Sequence, residues 1–202
     1  MQKYTPQEFN LPELAGISAK NVEEHLKLYK GYVTNANNVI EKISTLSLGM
    51  FKDKEDNGYV ISELFRRFSF EYNGMRNHEV YFNSLSGGPK PLNPDSALAK
   101  LINETCMSLD ILLMGFKNMA MTRGVGWAVL WYDKRDNSLL ASWVDEQHLG
   151  QLNGCTMLLA LDMWEHAYVY DYPTSEKKKY IDAFFENLNW EVIEENFKKA
   201  IL

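Results

Sequence analysis

The sequence predicts an α+β protein: a long antiparallel helical hairpin at the N-terminus, followed by a C-terminal α/β domain with a three-stranded antiparallel sheet. Three observations carry that expectation. Apolar residues from Val22 to Ile43 recur in alternating steps of four and three, the seam of one long helix. A second helical stripe comes after one short polar stretch, and apolar runs of strand length occur only in the second half. With 202 residues, 46% of them hydrophobic, the chain can bury a substantial core.

The first helix starts after Ser18, a suitable N-cap, and carries Val22, Leu26, Tyr29, Val33, Ala36, Ile40 and Ile43 on one face. A polar, glycine-containing stretch runs from Lys52 to Gly58, and Ile61, Phe65, Phe68, Tyr72, Met75 and Phe82 mark the second helix. A short connection between helices of matched length implies an antiparallel hairpin. The segment SGGPKPLNPD, Ser86 to Asp95, places a domain boundary that divides the chain into residues 1–88 and 89–202. Ser96 to about Arg123 reads as one or two helices, with Asp95 capping the first and Ser108 the second. GWAVLWYD (Gly126 to Asp133) and SLLASWVD (Ser138 to Asp145) flank a polar turn and predict a β-hairpin. Met157 to Leu161 predicts a third strand that ends near Asp162 and leads into helix, and two further helices cover about Ser175 to Leu188 and Asn189 to Ala200. Internal repeats and low-complexity tracts are absent from the sequence.

Charge and cysteine content narrow the function classes. The balance of 21 basic against 27 acidic residues, a net charge of −6, argues against a nucleic-acid or membrane partner while permitting a locally basic funnel. MQKYTPQEFNLPEL at the start lacks an apolar core of signal-peptide length, so a cytoplasmic location is expected. Cys106 and Cys155 form no CxxC pair and are expected to be free thiols without a role.

The chemistry lies with the four histidines, His25, His78, His148 and His166, each placed where a helix face or a strand end can deliver it to one centre. Asp162 and His166 are four residues apart, so on a helical turn a carboxylate oxygen and an imidazole nitrogen would share one side and could hold one cation. A capping aspartate beside an unrelated histidine gives the same spacing. The neighbours decide between the two: DMWEHAY, Asp162 to Tyr168, resembles the DxWEHAY signature of the iron and manganese superoxide dismutases, in which the aspartate and histidine bind metal. The resemblance spans nearly the whole chain, through Asn77 and His78 with the aromatic Phe82 four residues on, GWAVL from Gly126, and Asn189 with Trp190.

The resemblance implies one Fe or Mn per chain, bound by His25, His78, Asp162 and His166. His25 departs from the family register, which places the first ligand eight residues before the tyrosine that guards substrate access; here that tyrosine is Tyr32, and Glu24 stands eight residues before it. At about 100° per residue, seven residues return to within about 20° of the starting direction, whereas eight overshoot by about 80° and need a bulge. A π-type bulge of the family helix is therefore absent and His25 keeps the ligand role, with Glu24 as the alternative.

The resemblance also implies a polar side chain that hydrogen-bonds the metal-bound solvent and tunes it. One family location for that group holds Gly74, which leaves a hole; the other falls within Asp145 to His148, where His148 resembles the archaeal-type members and Gln147 is the alternative. Trp127, Trp164 and Phe82, the last where tryptophan is usual, complete the pocket. Glu165 is expected to reach across a two-fold interface to the partner's ligand histidine in a homodimer or tetramer. The family's histidine–tyrosine pair across that interface is replaced by Tyr29 and Val169, and the family's N-terminal LPYxxDALEP segment is shortened to Leu11–Leu14.

The activity implied by the resemblance is disproportionation of superoxide to dioxygen and hydrogen peroxide, with Tyr32 and His148 ordering the proton supply. Lys30, Arg76 or one of Lys177 to Lys179 is expected to make the mouth positive. Two alternatives stay open on the sequence: a non-heme iron enzyme with two histidines and one carboxylate, and an inactive family member with a structural role.

Overall fold

The computed structural model describes residues 3–53 and 56–202. The seam residues lie on α1 (Ala19–Asp53), capped by Ser18, whose Oγ accepts the Asn21 N–H at 3.1 Å. It is α-helical along its whole length, without a π-type turn. α2 (Gly58–Leu85) runs back along it: Tyr32 of α1 meets Phe70, and His25, two turns earlier, meets His78 and Phe82. The helices themselves take up Lys52, Asp53 and Gly58 of the expected connection, and residues 54 and 55 lie outside the described residues. Burial in α2 is concentrated from Phe70 onward, and Phe65, expected on the buried stripe, is 60% exposed near the tip of the hairpin.

Ser96 to Arg123 contains two helices, α3 (Ala97–Cys106) and α4 (Leu109–Ala120), separated by Met107 with φ 67°. The cap of α3 is Ser96, not Asp95. Ser96 stands immediately before the first helical residue, so its Oγ reaches the Ala99 N–H at 3.1 Å, whereas Asp95 is held in a turn by its own N–H donating to Asn93 Oδ1. Ser108 caps α4 by accepting from the Ile111 N–H.

The sheet consists of β1 (Gly126–Asp133), β2 (Ser138–Asp145) and β3 (Cys155–Asp162), antiparallel in the order β2-β1-β3. β1, flanked on both edges, is buried over nearly its whole length. Asn137 closes the β1–β2 turn at φ 48°, a conformation asparagine tolerates, and accepts the Tyr132 hydroxyl at 3.0 Å. The register sets Trp127 opposite Asp162, which brings one end of the sheet to the helical hairpin.

The helix expected after Asp162 is only one 3-10 turn, Glu165–Ala167. Asp162 is itself the last residue of β3, and its Oδ1 accepts the Trp164 N–H at 2.9 Å, which keeps the backbone extended through Trp164. α5 (Lys177–Glu186) and α6 (Trp190–Ile201) end the chain. Asn189 caps α6 and also donates from Nδ2 to Ser86 O at 2.7 Å, tying α6 to the end of α2. Cys106 and Cys155 are free. Among the described residues no helix is long and apolar enough to cross a membrane.

Candidate metal centre

Four elements converge on one point. α1 supplies His25, α2 supplies His78, the end of β3 supplies Asp162 and the 3-10 turn supplies His166; one ligand atom from each lies within 4.8 Å of the others. Asp162 Oδ2 stands 3.0 Å from His25 Nε2, 3.1 Å from His166 Nε2 and 3.5 Å from His78 Nε2. His25, His78 and Asp162 are buried, and His166 is the one member that reaches a cleft. Asp162 and His166 thus meet through a strand end and a turn, not along a helical face. Glu24 is not part of the cluster: about 100° around α1 from His25, it pairs with Lys20 and Lys27 at the surface.

The donor set fits a metal ion. His78 Nδ1 is 2.5 Å from the Gly74 carbonyl, which can only accept, so the ring proton sits there and Nε2 presents a bare lone pair. That nitrogen is fully buried and has no hydrogen-bond partner among the described residues. Burial, followed by the charge of neighbouring His25, pushes the His78 imidazole down to about 3, and burial also lowers His25 against the pull of Asp162. Burial alone would raise the Asp162 carboxyl, but His166 and His25 outweigh it and hold it well below the usual range. Neutral imidazoles at His25 and His78 beside an ionised carboxylate are the deprotonated donors a divalent or trivalent ion requires.

Beside this cluster runs a hydrogen-bond chain, and its middle member is Gln147. Trp127 Nε1 donates to Gln147 Oε1 at 2.9 Å, and Gln147 Nε2 donates to the Tyr32 hydroxyl at 2.9 Å. Since the indole N–H can only donate, the amide oxygen must face Trp127 and its nitrogen Tyr32. Glu146 lies at φ 51°, where its carbonyl accepts Trp164 Nε1, and this turn of the backbone directs the Gln147 side chain inward. Asn77, next to His78, donates from Nδ2 to the Gln147 carbonyl at 3.0 Å.

His148, expected in that position, is displaced from it. Two residues after Glu146, it is half-buried with its ring edge-on to Phe70. The hole at Gly74 is filled as well: a Cβ built there would strike the Tyr32 ring. Gly74→Ala should therefore cost about 1–3 kcal/mol of overpacking, although alanine normally gains about 0.5–1 kcal/mol over glycine in a helix interior. Chemical unfolding of the metal-free protein measures the sign, and a stabilised variant would contradict the contact.

Around the cluster, Trp127 lies 5.0 Å from His78 between ring centroids, Phe82 4.8 Å from His25, and Trp164 stacks on His166 at 5.7 Å. A cleft of about 460 Å³ opens beside Tyr32, Trp164 and His166. Its cations are Lys27 and Arg67, not Lys30, Arg76 or Lys177 to Lys179. Arg76 is turned to Glu79 at 2.7 Å, while Arg67 lies over the Phe70 ring at 3.7 Å and donates to Glu71. A larger cleft of about 900 Å³, between Leu11–Val22 and Tyr170–Tyr172, carries Glu13 and Asp171 but no histidine. Of the polar residues around the cluster, Gln147 stood in the sequence as an alternative and Asn77 as part of the motif around His78 without its role as a clamp, whereas Arg67 at the mouth carried no signal beyond ordinary helix composition.

Tyr29 is fully buried within its own chain, its hydroxyl accepting the Gln7 N–H and donating to Glu79, whereas Val169 is 44% exposed and Glu165 is exposed. The family model described as iron/manganese superoxide dismutases, C-terminal domain, matches residues 94–196. The chain is 36% identical to a superoxide dismutase [Fe] of Aquifex pyrophilus over 203 residues, covering 100% of this chain and 94% of that one. A superoxide dismutase [Fe] of Pyrobaculum aerophilum is 31% identical over 92% of this chain and 86% of its own length. A mitochondrial superoxide dismutase [Mn] of Glossina morsitans morsitans is likewise 31% identical, over 93% and 84%. Matched along its full length to such relatives, and with three imidazoles and a carboxylate gathered at one point, this chain belongs to the iron/manganese superoxide dismutase family.

Proposed function

We propose that the superoxide dismutase activity of this chain resides at one Fe or Mn ion held by His25, His78, Asp162 and His166. The observation that carries this reading is the bare, buried Nε2 of His78 facing the other three ligand atoms. When bound, the ion supplies one-electron chemistry between M(III) and M(II), which zinc does not. Two superoxides are consumed: one loses an electron and leaves as dioxygen, while the other gains it and, with two protons, leaves as hydrogen peroxide. Asp162 offsets the positive charge. Tyr32 accepts from Gln147 and so keeps its own proton free to donate, and burial, then the Asp162 charge, raise its pKa so that the phenol stays protonated. Trp127, Phe82 and Trp164 line the ligands and exclude water. His25 completes three histidines, which removes the basis for a two-histidine, one-carboxylate enzyme. Protein supplied with each metal in turn should carry one ion per chain and disproportionate superoxide; failure to bind either would overturn the reading.

The mouth sets the approach of the anion. Its two cations, Lys27 and Arg67, are matched by two carboxylates, Glu24 and Glu71, so it is balanced on a chain of net charge −6. The second-order rate should accordingly change little with ionic strength, even though screening over about 10 Å sets in at roughly 0.1 M. A steep fall with salt in stopped-flow measurements would instead reveal a positive funnel.

Assembly belongs to the same proposal. Glu165, exposed in the single chain beside His166, reaches the partner's equivalent histidine across a two-fold interface in a homodimer or tetramer, as carboxylates that orient ligand imidazoles do. Glu165→Ala should weaken both association and metal retention, and sedimentation of the unmodified protein as an active, metal-filled monomer would sink the idea. A cytoplasmic location and the division into residues 1–88 and 89–202 complete the reading, with two ligands drawn from each part.

A further inference from the structure

Asn21 stands one helical turn before His25 on α1 and is 1% exposed. Its Nδ2 donates to the Ala167 carbonyl at 2.9 Å and to Asp171 Oδ2 at 3.0 Å. Ala167 directly succeeds His166 and closes the 3-10 turn through its N–H to the Trp164 carbonyl. One buried amide thus joins the helix that carries His25 to the turn that carries His166, across 146 residues of sequence. The rings of those two histidines lie 5.2 Å apart between centroids. The other polar ties between these segments are farther along the chain from both histidines: the Ser18 N–H donates to Asp171 and the Tyr172 hydroxyl to the Gly16 carbonyl.

We propose that Asn21 is a positioning residue, setting the distance between His25 and His166 and so the shape of the metal site, an inference that rests on those two histidines being ligands. The chemistry requires a carboxamide. Both acceptors, a carbonyl and a carboxylate, need N–H donors, and the amide supplies two from one nitrogen. The turn around His166 is short, and His166 is the ligand beside the cleft, so its carbonyl anchor in α1 substitutes for the packing that encloses His25 and His78. Asn21→Asp keeps the size but removes both donors and sets a second carboxylate against Asp171; Asn21→Ala removes the donors without adding charge.

The test compares Asn21→Ala, Asn21→Asp and Asp171→Asn by metal affinity in chelator competition, by the electron paramagnetic resonance spectrum of the Fe(III) form and by thermal unfolding of the metal-free protein. Both Asn21 variants should lose roughly 10- to 100-fold in affinity, as groups that orient ligands commonly do, with altered rhombicity of the iron signal. Asp171→Asn keeps the bond to Ala167 and should retain the parent affinity and spectrum even if it melts earlier. Parent-like affinity and spectrum in Asn21→Ala, or affinity losses that merely track melting temperature across the three variants, would overturn the assignment. Absence of Fe or Mn from the parent protein would instead overturn the ligand set itself.

Discussion

His25→Ala should abolish stoichiometric Fe or Mn and with it superoxide turnover, while Glu24→Ala should leave the metal content unchanged. The reason is the path of α1. Because the helix is α throughout, seven residues separate side chains that share a face, so His25 and Tyr32 both point at the site, and Glu24 turns to the solvent and its lysines. Removing His25 also leaves Asp162 Oδ2 without its 3.0 Å neighbour, a buried carboxylate short of one partner, which adds instability to the loss of a ligand. Metal analysis of both purified variants decides it. Loss of metal in Glu24→Ala with retention in His25→Ala would show that the helix carries a bulge in solution and that the carboxylate is the ligand.

Gln147→Ala should keep the metal and lose about 10- to 100-fold in activity, the usual cost of removing a group that tunes a metal site from behind its ligands. Among the described residues the amide is the link between Trp127 and Tyr32, and its removal leaves the Trp127 N–H and the Tyr32 hydroxyl without their mutual partner. Each unsatisfied buried group costs about 1–3 kcal/mol, so a lower melting temperature should accompany the loss. His148→Ala should stay near the parent rate, since its ring rests against Phe70 outside the chain of hydrogen bonds. Steady-state and pulse-radiolysis rates on the two variants separate the roles, and the opposite ranking would return the tuning function to His148.

Periodicity and composition by themselves determined the helical hairpin, the three strands and their order in the chain, because burying an apolar stripe on a helix or on alternating strand positions leaves a local pattern. The family resemblance carried by local motifs pointed to the four candidate ligands: His78 beside Asn77 on a helical face, Asp162 and His166 in one short string, and His25 by its register with Tyr32, with Glu24 as the alternative. The tertiary structure alone decided which of two adjacent residues faces the site. Gln147 and His148 differ by one position, and their order inward is set by the left-handed turn at Glu146, by Asn77 gripping the Gln147 carbonyl, and by the Tyr32 ring filling the space at Gly74. The last two of those constraints are not local in sequence. The same holds for the mouth, where Lys27 and Arg67, each paired within its own helix, are brought to one cleft from different helices only on folding, and for Asn21, whose bond to Ala167 exists only once α1 and the turn after β3 have met. Side-chain identity with helical or strand spacing is written along the chain; hydrogen-bond direction across 70 or 146 residues is not, because it depends on where two backbones come to rest against each other.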